Sequence, residues 1–219
     1  MAPRAMRLGL HAGWLAGAAF VAALLVFGSM QPGYSQALHP VDLLGAAGTA
    51  HPDGWNALGV ALPGLLLAVF AMALQQPLHA AGAVGRIGGW LLALSGLAFA
   101  AGAAWPLRLE DLDGPESKLH VTTSMLAWLA WLSSAVLLPV ALRRRTGWQG
   151  VSMAGLMLAL AGIACLGLPL QALPPLEGRG GAVQRIGLAL YFAWPALLAW
   201  RALSRAAASG RGSSSQARR

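Results

Sequence analysis

The sequence predicts an all-α, polytopic membrane protein: a bundle of six transmembrane helices with both termini cytoplasmic. Three observations carry that expectation. Of the 219 residues, 57% are apolar and only 10% charged, with a mean hydropathy of +0.62. The apolar residues gather in six nearly uncharged runs of about 20 residues, each enough to cross a ~30 Å hydrocarbon core as a helix. Most basic residues sit at one set of alternate run ends, and the acidic ones all sit at the other. Lipid offers the backbone no hydrogen bonds, so a span must satisfy its own, and the helix does this.

The first run is His11–Met30. "MAPRAMRLGLHAGWLAGAAFVAALLVFGSMQPGYSQA" also has the basic start of a secretory signal, with small residues at Ser35 and Ala37 for a cut after Ala37. Its apolar stretch exceeds the ~7–15 residues usual there, and Pro32 and Gly33 intervene, so a retained helix is expected. The remaining runs are Asn56–Gln75, Ile87–Ala104, Leu119–Leu142, Val151–Leu170 and Ile186–Leu203. Residues 1–203 form the membrane domain, and residues 204–219, rich in Ser, Gly and Arg, are expected to be a disordered cytoplasmic tail. The spacings Gly13–Gly17 and Gly85–Gly89 allow close helix packing. Pro63, Pro139 and Pro195 fall mid-span and are expected to kink their helices. "WLLALSGLAFAAGAAWPL" (90–107) and "LMLALAGIACLGLPL" (156–170) share a core and a terminal Pro-Leu, which reads as three pseudo-repeated hairpins.

Orientation follows from arginine. With the N-terminus inside, the inner segments hold Arg4, Arg7, Arg86, Arg143, Arg144, Arg145, Arg201, Arg205, Arg211, Arg218 and Arg219, 11 of the 15 basic residues. The outer segments hold Arg108, Lys118, Arg179 and Arg185, together with all 7 acids. A formal charge of +8 distributed in this way is a topological signal, and no basic stripe or base-stacking module points to nucleic acid. The single cysteine, Cys165, lies inside an apolar run, excludes an internal disulfide and reads as a small buried hydrophobe.

The acids concentrate in "RLEDLDGPESKLH", residues 108–120, the outer loop before the fourth span. Polar side chains gather at that same outer end. The first outer loop supplies Tyr34, Ser35, His39, Asp42, His51, Asp53, Trp55 and Asn56; the third helix ends at Trp105; the fourth opens with His120, Thr123 and Ser124; the sixth opens with Gln184 and Arg185. Burying such groups unpaired is costly, which makes them functional candidates.

Three arrangements are open to them. Asp42, His120 and Arg185 form a polar knot that locks the first loop onto the fourth and sixth helices. Alternatively, they bind a lipid head group or small solute, with Arg185 as anion ligand and Trp55 and Trp105 as an interfacial rim. In the third, His120 with His39, His51 or Asp42 holds a metal that activates water. The last is the route to a membrane-embedded hydrolase or transferase, metal-dependent or acid–base, with Ser124 a further nucleophile candidate. A b-type haem on His11, His79 and His120 ranks lower. So does a transporter, since no charge lies at mid-span. Most tryptophans are expected at the membrane interfaces.

Several of these pieces resemble a known family. They are "PGYS" (Pro32–Ser35), "VDLLGA" (Val41–Ala46), "WN" (Trp55–Asn56), "WP" (Trp105–Pro106), "LH" (Leu119–His120) and "VQRIGL" (Val183–Leu188). In order and spacing, from about Gly9 to Arg201, the chain resembles the domain-of-unknown-function 998 family of prokaryotic membrane proteins. The resemblance implies six helices and a prokaryotic plasma membrane; it implies no activity. Asp42 stands where that family more often has Glu, which shortens the carboxylate's reach by one methylene, and His39 falls where the family varies.

Overall fold

The computed structural model describes residues 3–167, 170 and 173–216. Among the described residues the regular structure is helical, with no strand. Helix α1 spans Pro3–Met30. After a 3₁₀ turn at Val41–Gly45, the short α2 (Pro52–Trp55) runs through a π-helical segment, Asn56–Ala61, into α3 (Leu62–Leu78). Helices α4 (Gly82–Ala101), α5 (Pro115–Leu142), α6 (Gln149–Gly167) and α7 (Gly180–Gln216) complete the bundle.

Among the described residues, four helical stretches are long and apolar enough to cross a membrane: Arg4–Met30, Pro52–Ala104, Pro115–Leu142 and Gly180–Ala208. The second is 53 residues long, about twice what a bilayer needs. It is not straight. The 3₁₀ turn His79–Ala81 and Gly82, at φ 74°, reverse the chain so that α4 returns along α3. Only a residue without Cβ takes that φ at little cost. The expected second and third spans both lie in this stretch. The apolar part of α6, Gln149–Cys165, is shorter than the expected run Val151–Leu170, whose residues 168 and 169 lie outside the described residues.

Several helices begin earlier than the apolar runs. Helix α5 starts at Pro115 rather than Leu119, because Pro at the first helical position is pre-set for the helix and Glu116 suits the positive end of its dipole. Polar first turns extend these helices beyond the lipid-matched run, and hydropathy alone does not register them.

Glycine sets the closest contacts. A Cβ on Gly64 would lie 2.5 Å from the Ala100 nitrogen, and one on Gly96 2.7 Å from the Ala68 nitrogen, so α3 and α4 meet backbone to backbone. The expected Gly13–Gly17 face is used too: Gly13 abuts Phe70 and Ala199, and Gly17 abuts Phe192 of α7. The prolines are accommodated individually. Pro63 follows the π-helical segment, where Leu62 N–H reaches the Ala57 carbonyl. Pro195 removes the N–H that would serve the Tyr191 carbonyl, and the Trp131 indole donates there instead at 2.9 Å.

Trp55, Trp131, Trp148 and Trp194, four of the nine tryptophans, are buried within the bundle. Their rings fill the seams between helices, and Trp131 also meets a backbone need. Trp14, Trp90 and Trp200 remain exposed. Large aliphatic side chains such as Leu25 (61% exposed), Leu97 (51%), Leu129 (58%) and Leu160 (60%) project from the helices. Apolar faces of that extent suit lipid and not water, and the features together are those of a multi-pass integral membrane protein.

The first turns of α1 and the later part of α7 lie at one end of the bundle. There Arg7 donates to the Ala206 carbonyl at 3.1 Å and Arg205 to that of Thr146 at 2.7 Å. At the other end, Ala47 N–H reaches the Leu107 carbonyl (3.0 Å) and Ala182 N–H that of Ala37 (2.9 Å). All 7 acids belong to this second, acidic end.

Candidate functional site

The loop between α1 and α2 folds onto the acidic end through its own polar groups. Ser35 N–H donates to His39 Nδ1 at 2.9 Å, closing a compact turn. Gly181, at the start of α7, lets that turn approach: a Cβ there would lie 2.3 Å from the His39 carbonyl oxygen. One helical turn on, Arg185 gathers the loop. Its Nε donates to Gln36 Oε1 (2.8 Å), its Nη1 to the carbonyls of His39 (3.0 Å) and Gly181 (2.7 Å), and its Nη2 to the Tyr34 hydroxyl. Tyr34 in turn donates to the Pro40 carbonyl at 3.2 Å. Burial pushes the Tyr34 phenol above its ordinary pKa, against the opposing pull of the Arg185 guanidinium.

The next residues fix Asp42. Val41 N–H donates to Gln184 Oε1 at 2.6 Å; since a backbone N–H can only donate, the Gln184 amide nitrogen faces the other way, toward Asp42 Oδ2 at 2.7 Å. Behind them, Asn56 donates to the Gly45 carbonyl at 3.1 Å. A Cβ on Gly45 would lie 2.2 Å from Asn56 Oδ1, so only glycine fits this corner.

His120 approaches from α5. Its Nδ1–H donates to the Trp105 carbonyl at 3.0 Å, which is why Trp105 matters through its backbone rather than its ring. Nε2 is buried without a hydrogen-bond partner and stands 3.8 Å from Asp42 Oδ1, beyond direct hydrogen-bond reach. With Nδ1 as donor, the neutral ring presents a lone pair at Nε2. His120 Nε2 and the Asp42 carboxylate thus face each other across a gap that takes either a proton on Nε2 or a donor between them.

That gap opens on a cavity of about 90 Å³ lined by Asp42, His120, Gln184 and Ser124, with Trp55 and Trp128 among its apolar walls. Phe20 and Phe99 close it from α1 and α4. Phe20 packs edge-on to Trp55 (5.9 Å) and Phe99 (6.3 Å), so the walls are a connected aromatic cluster.

Of the residues expected from sequence, Asp42, Trp55, His120, Ser124 and Gln184 line this cavity together. Tyr34, Ser35 and Arg185 form the neighbouring knot, while Asn56 and Trp105 brace it from behind. The metal candidates do not converge. His39 Nδ1 is taken by Ser35, His51 is exposed at the start of α2, and no three His, Cys, Asp or Glu among the described residues are grouped to hold an ion. His120 lies at the opposite end from His79, in the α3–α4 turn. Gln36, Gly45 and Gly181 were not legible in the sequence: their importance lies in contacts between distant segments, although Gln36 in "YSQ" carried a polar signal.

The acidic loop itself is held by a neutral residue. Arg108 and Glu116 pair on the surface. Ser117 is fully buried; it accepts from Arg108 N–H at 3.1 Å and donates to the Asp111 carbonyl at 2.8 Å.

In comparison with known proteins, residues 14–201 match the family described as "Protein of unknown function (DUF998)". No curated protein and no solved structure matches the chain. The matched region takes in the loop turn, Asp42, His120 and Arg185 alike, and by that match the chain belongs to the DUF998 family.

Proposed function

We propose that the protein is a six-span membrane protein of a prokaryotic plasma membrane, with both termini cytoplasmic, that binds a lipid head group or small solute at its outer end. The arginine-rich terminal end and the acid-bearing opposite end support that orientation. Residues 1–203 are then the membrane domain and residues 204–219 a solvated basic tail.

One observation carries the binding reading: a buried His120 Nε2 with no partner, facing Asp42 across 3.8 Å at the edge of a cavity. The donors of Arg185 are engaged by the loop, so Arg185 acts as the strut of the site and the polar lining offers acceptors. The complementary ligand group therefore carries N–H or O–H donors. An amine suits best, since a carboxylate and aromatic faces both attract a cation. The test is native mass spectrometry of the full chain in detergent with phosphatidylethanolamine and with phosphatidic acid of the same acyl chains. Preferential retention of the ethanolamine lipid, abolished by Asp42→Asn and by His120→Phe, is expected. Equal retention of both lipids, or retention unchanged in both variants, overturns it.

A second reading is an acid–base hydrolase, favoured by Ser124 lining the same cavity one helical turn below His120. Against it, His120 Nδ1 is taken by the Trp105 carbonyl and Nε2 makes no hydrogen bond to Ser124. Ester hydrolysis by the wild type that Ser124→Ala abolishes would reverse the preference.

A further inference from the structure

The end that carries the first turns of α1 has a larger cavity, about 670 Å³, enclosed by α1, the α3–α4 turn, the α5–α6 loop and α7. This lies within the ~300–1,000 Å³ range of small-molecule sites. Its walls are mostly apolar: Leu10 and Leu142 are buried there, with Met6, Pro77 and Trp148 beside them. Its mouth is cationic. Arg144 and Arg145 line it and are exposed, while Arg205 also lines it but is engaged, donating to the Thr146 carbonyl and lying 5.9 Å from the Trp148 ring centroid. No acidic residue balances this charge locally, because all 7 lie at the opposite end.

We propose that this cavity seats an anionic phospholipid, its phosphate between Arg144 and Arg145 and an acyl chain along the apolar wall. Charge complementarity selects the anion, and the apolar depth selects a lipid over a free anion, which would leave the wall wet. The site is separate from the acidic-end cavity and takes the opposite charge of ligand. Each basic residue near a membrane surface contributes roughly fivefold to affinity for anionic lipid, so the two arginines together give a preference of about thirtyfold.

The experiment is native mass spectrometry of the full chain in detergent, titrated with phosphatidylglycerol and with phosphatidylcholine of the same acyl chains. The wild type is expected to retain phosphatidylglycerol preferentially, and Arg144→Gln/Arg145→Gln to lose that preference by about thirtyfold. Arg143→Gln, which removes a neighbouring charge outside the cavity lining, is expected to retain it, as is His120→Phe at the other site. Ala80→Trp, an exposed position that narrows the cavity, is expected to weaken binding with the arginines intact. Equal retention of the two lipids overturns the assignment. So does a loss in Arg143→Gln as large as in the double variant, or competition by free glycerol phosphate as strong as by the lipid. Melting temperatures of all variants in the same detergent separate lost binding from lost folding.

Discussion

The Trp131 indole donates to the Tyr191 carbonyl at 2.9 Å, the same carbonyl that Pro195 leaves without its helical partner. A side chain on α5 thus repairs a backbone defect in α7. Trp131→Phe should keep most of the packing and strand that carbonyl, lowering stability by about 1–2 kcal/mol. In a Pro195→Ala background, where residue 195 regains its N–H, the same substitution should cost less. Thermal unfolding of the four proteins in detergent measures the difference; equal costs in both backgrounds would show that the indole contributes packing only.

Gly64 and Gly96 define the closest approach of α3 and α4. Adding a methyl at Gly64 would place it 2.5 Å from backbone nitrogen, which cannot move aside as a side-chain tip can. Gly64→Ala should therefore cost about 1–3 kcal/mol, whereas Gly150→Ala, with nothing within 4 Å, should be neutral or slightly stabilising. Melting temperatures decide it, and a tolerated Gly64→Ala would contradict the backbone contact.

The acidic loop offers a contrast between charge and burial. Arg108→Ala removes an exposed ion pair and should leave the melting temperature unchanged within error, at low salt and at high. Ser117→Val removes two buried hydrogen bonds and should destabilise by about 1–3 kcal/mol. Should the ranking reverse, surface charge and not Ser117 would be what organises the loop.

Arg185 donates to three residues of the first loop, Tyr34, Gln36 and His39, and to the Gly181 carbonyl of its own helix. Arg185→Ala should increase amide exchange across residues 34–45 and lower stability by about 2–3 kcal/mol. Arg185→Lys should rescue little, because a single ammonium cannot reach acceptors arranged around a planar fork. Hydrogen exchange read by mass spectrometry reports both, and full rescue by lysine would reduce the interaction to charge alone.

Topology is checked with single cysteines after Cys165→Ala. An impermeant maleimide applied to intact cells should label Glu110→Cys and should reach Ser204→Cys only after permeabilisation. The inverse pattern would reverse the orientation proposed here.

Much of the site was readable as a set of residues, since polar side chains at the ends of apolar runs stand out against their neighbours. Asp42, His120 and Gln184 lie together, whereas Arg185, expected with Asp42 and His120, bonds to Tyr34, Gln36 and His39 in the neighbouring knot. Their division of labour was not readable. Arg185 looks like an anion ligand in isolation, but it donates to Gln36, the Tyr34 hydroxyl and the His39 carbonyl of the loop, contacts between distant segments that sequence does not expose. The tryptophans divide in a way hydropathy does not show: Trp131 and Trp194 are fully buried among helices, whereas Trp14, Trp90 and Trp200 are exposed.

Composition and charge by themselves determined that the chain is helical and membrane-embedded, and that most of its arginines lie at the end opposite its acids. Those properties follow from the cost of unpaired backbone in lipid and act on each segment separately. The tertiary structure alone decided which glycines bring helices together, which indole serves the carbonyl above Pro195, and that Asp42 and His120 face each other across 3.8 Å. These depend on distances between segments far apart in the chain, and they form only when the helices pack.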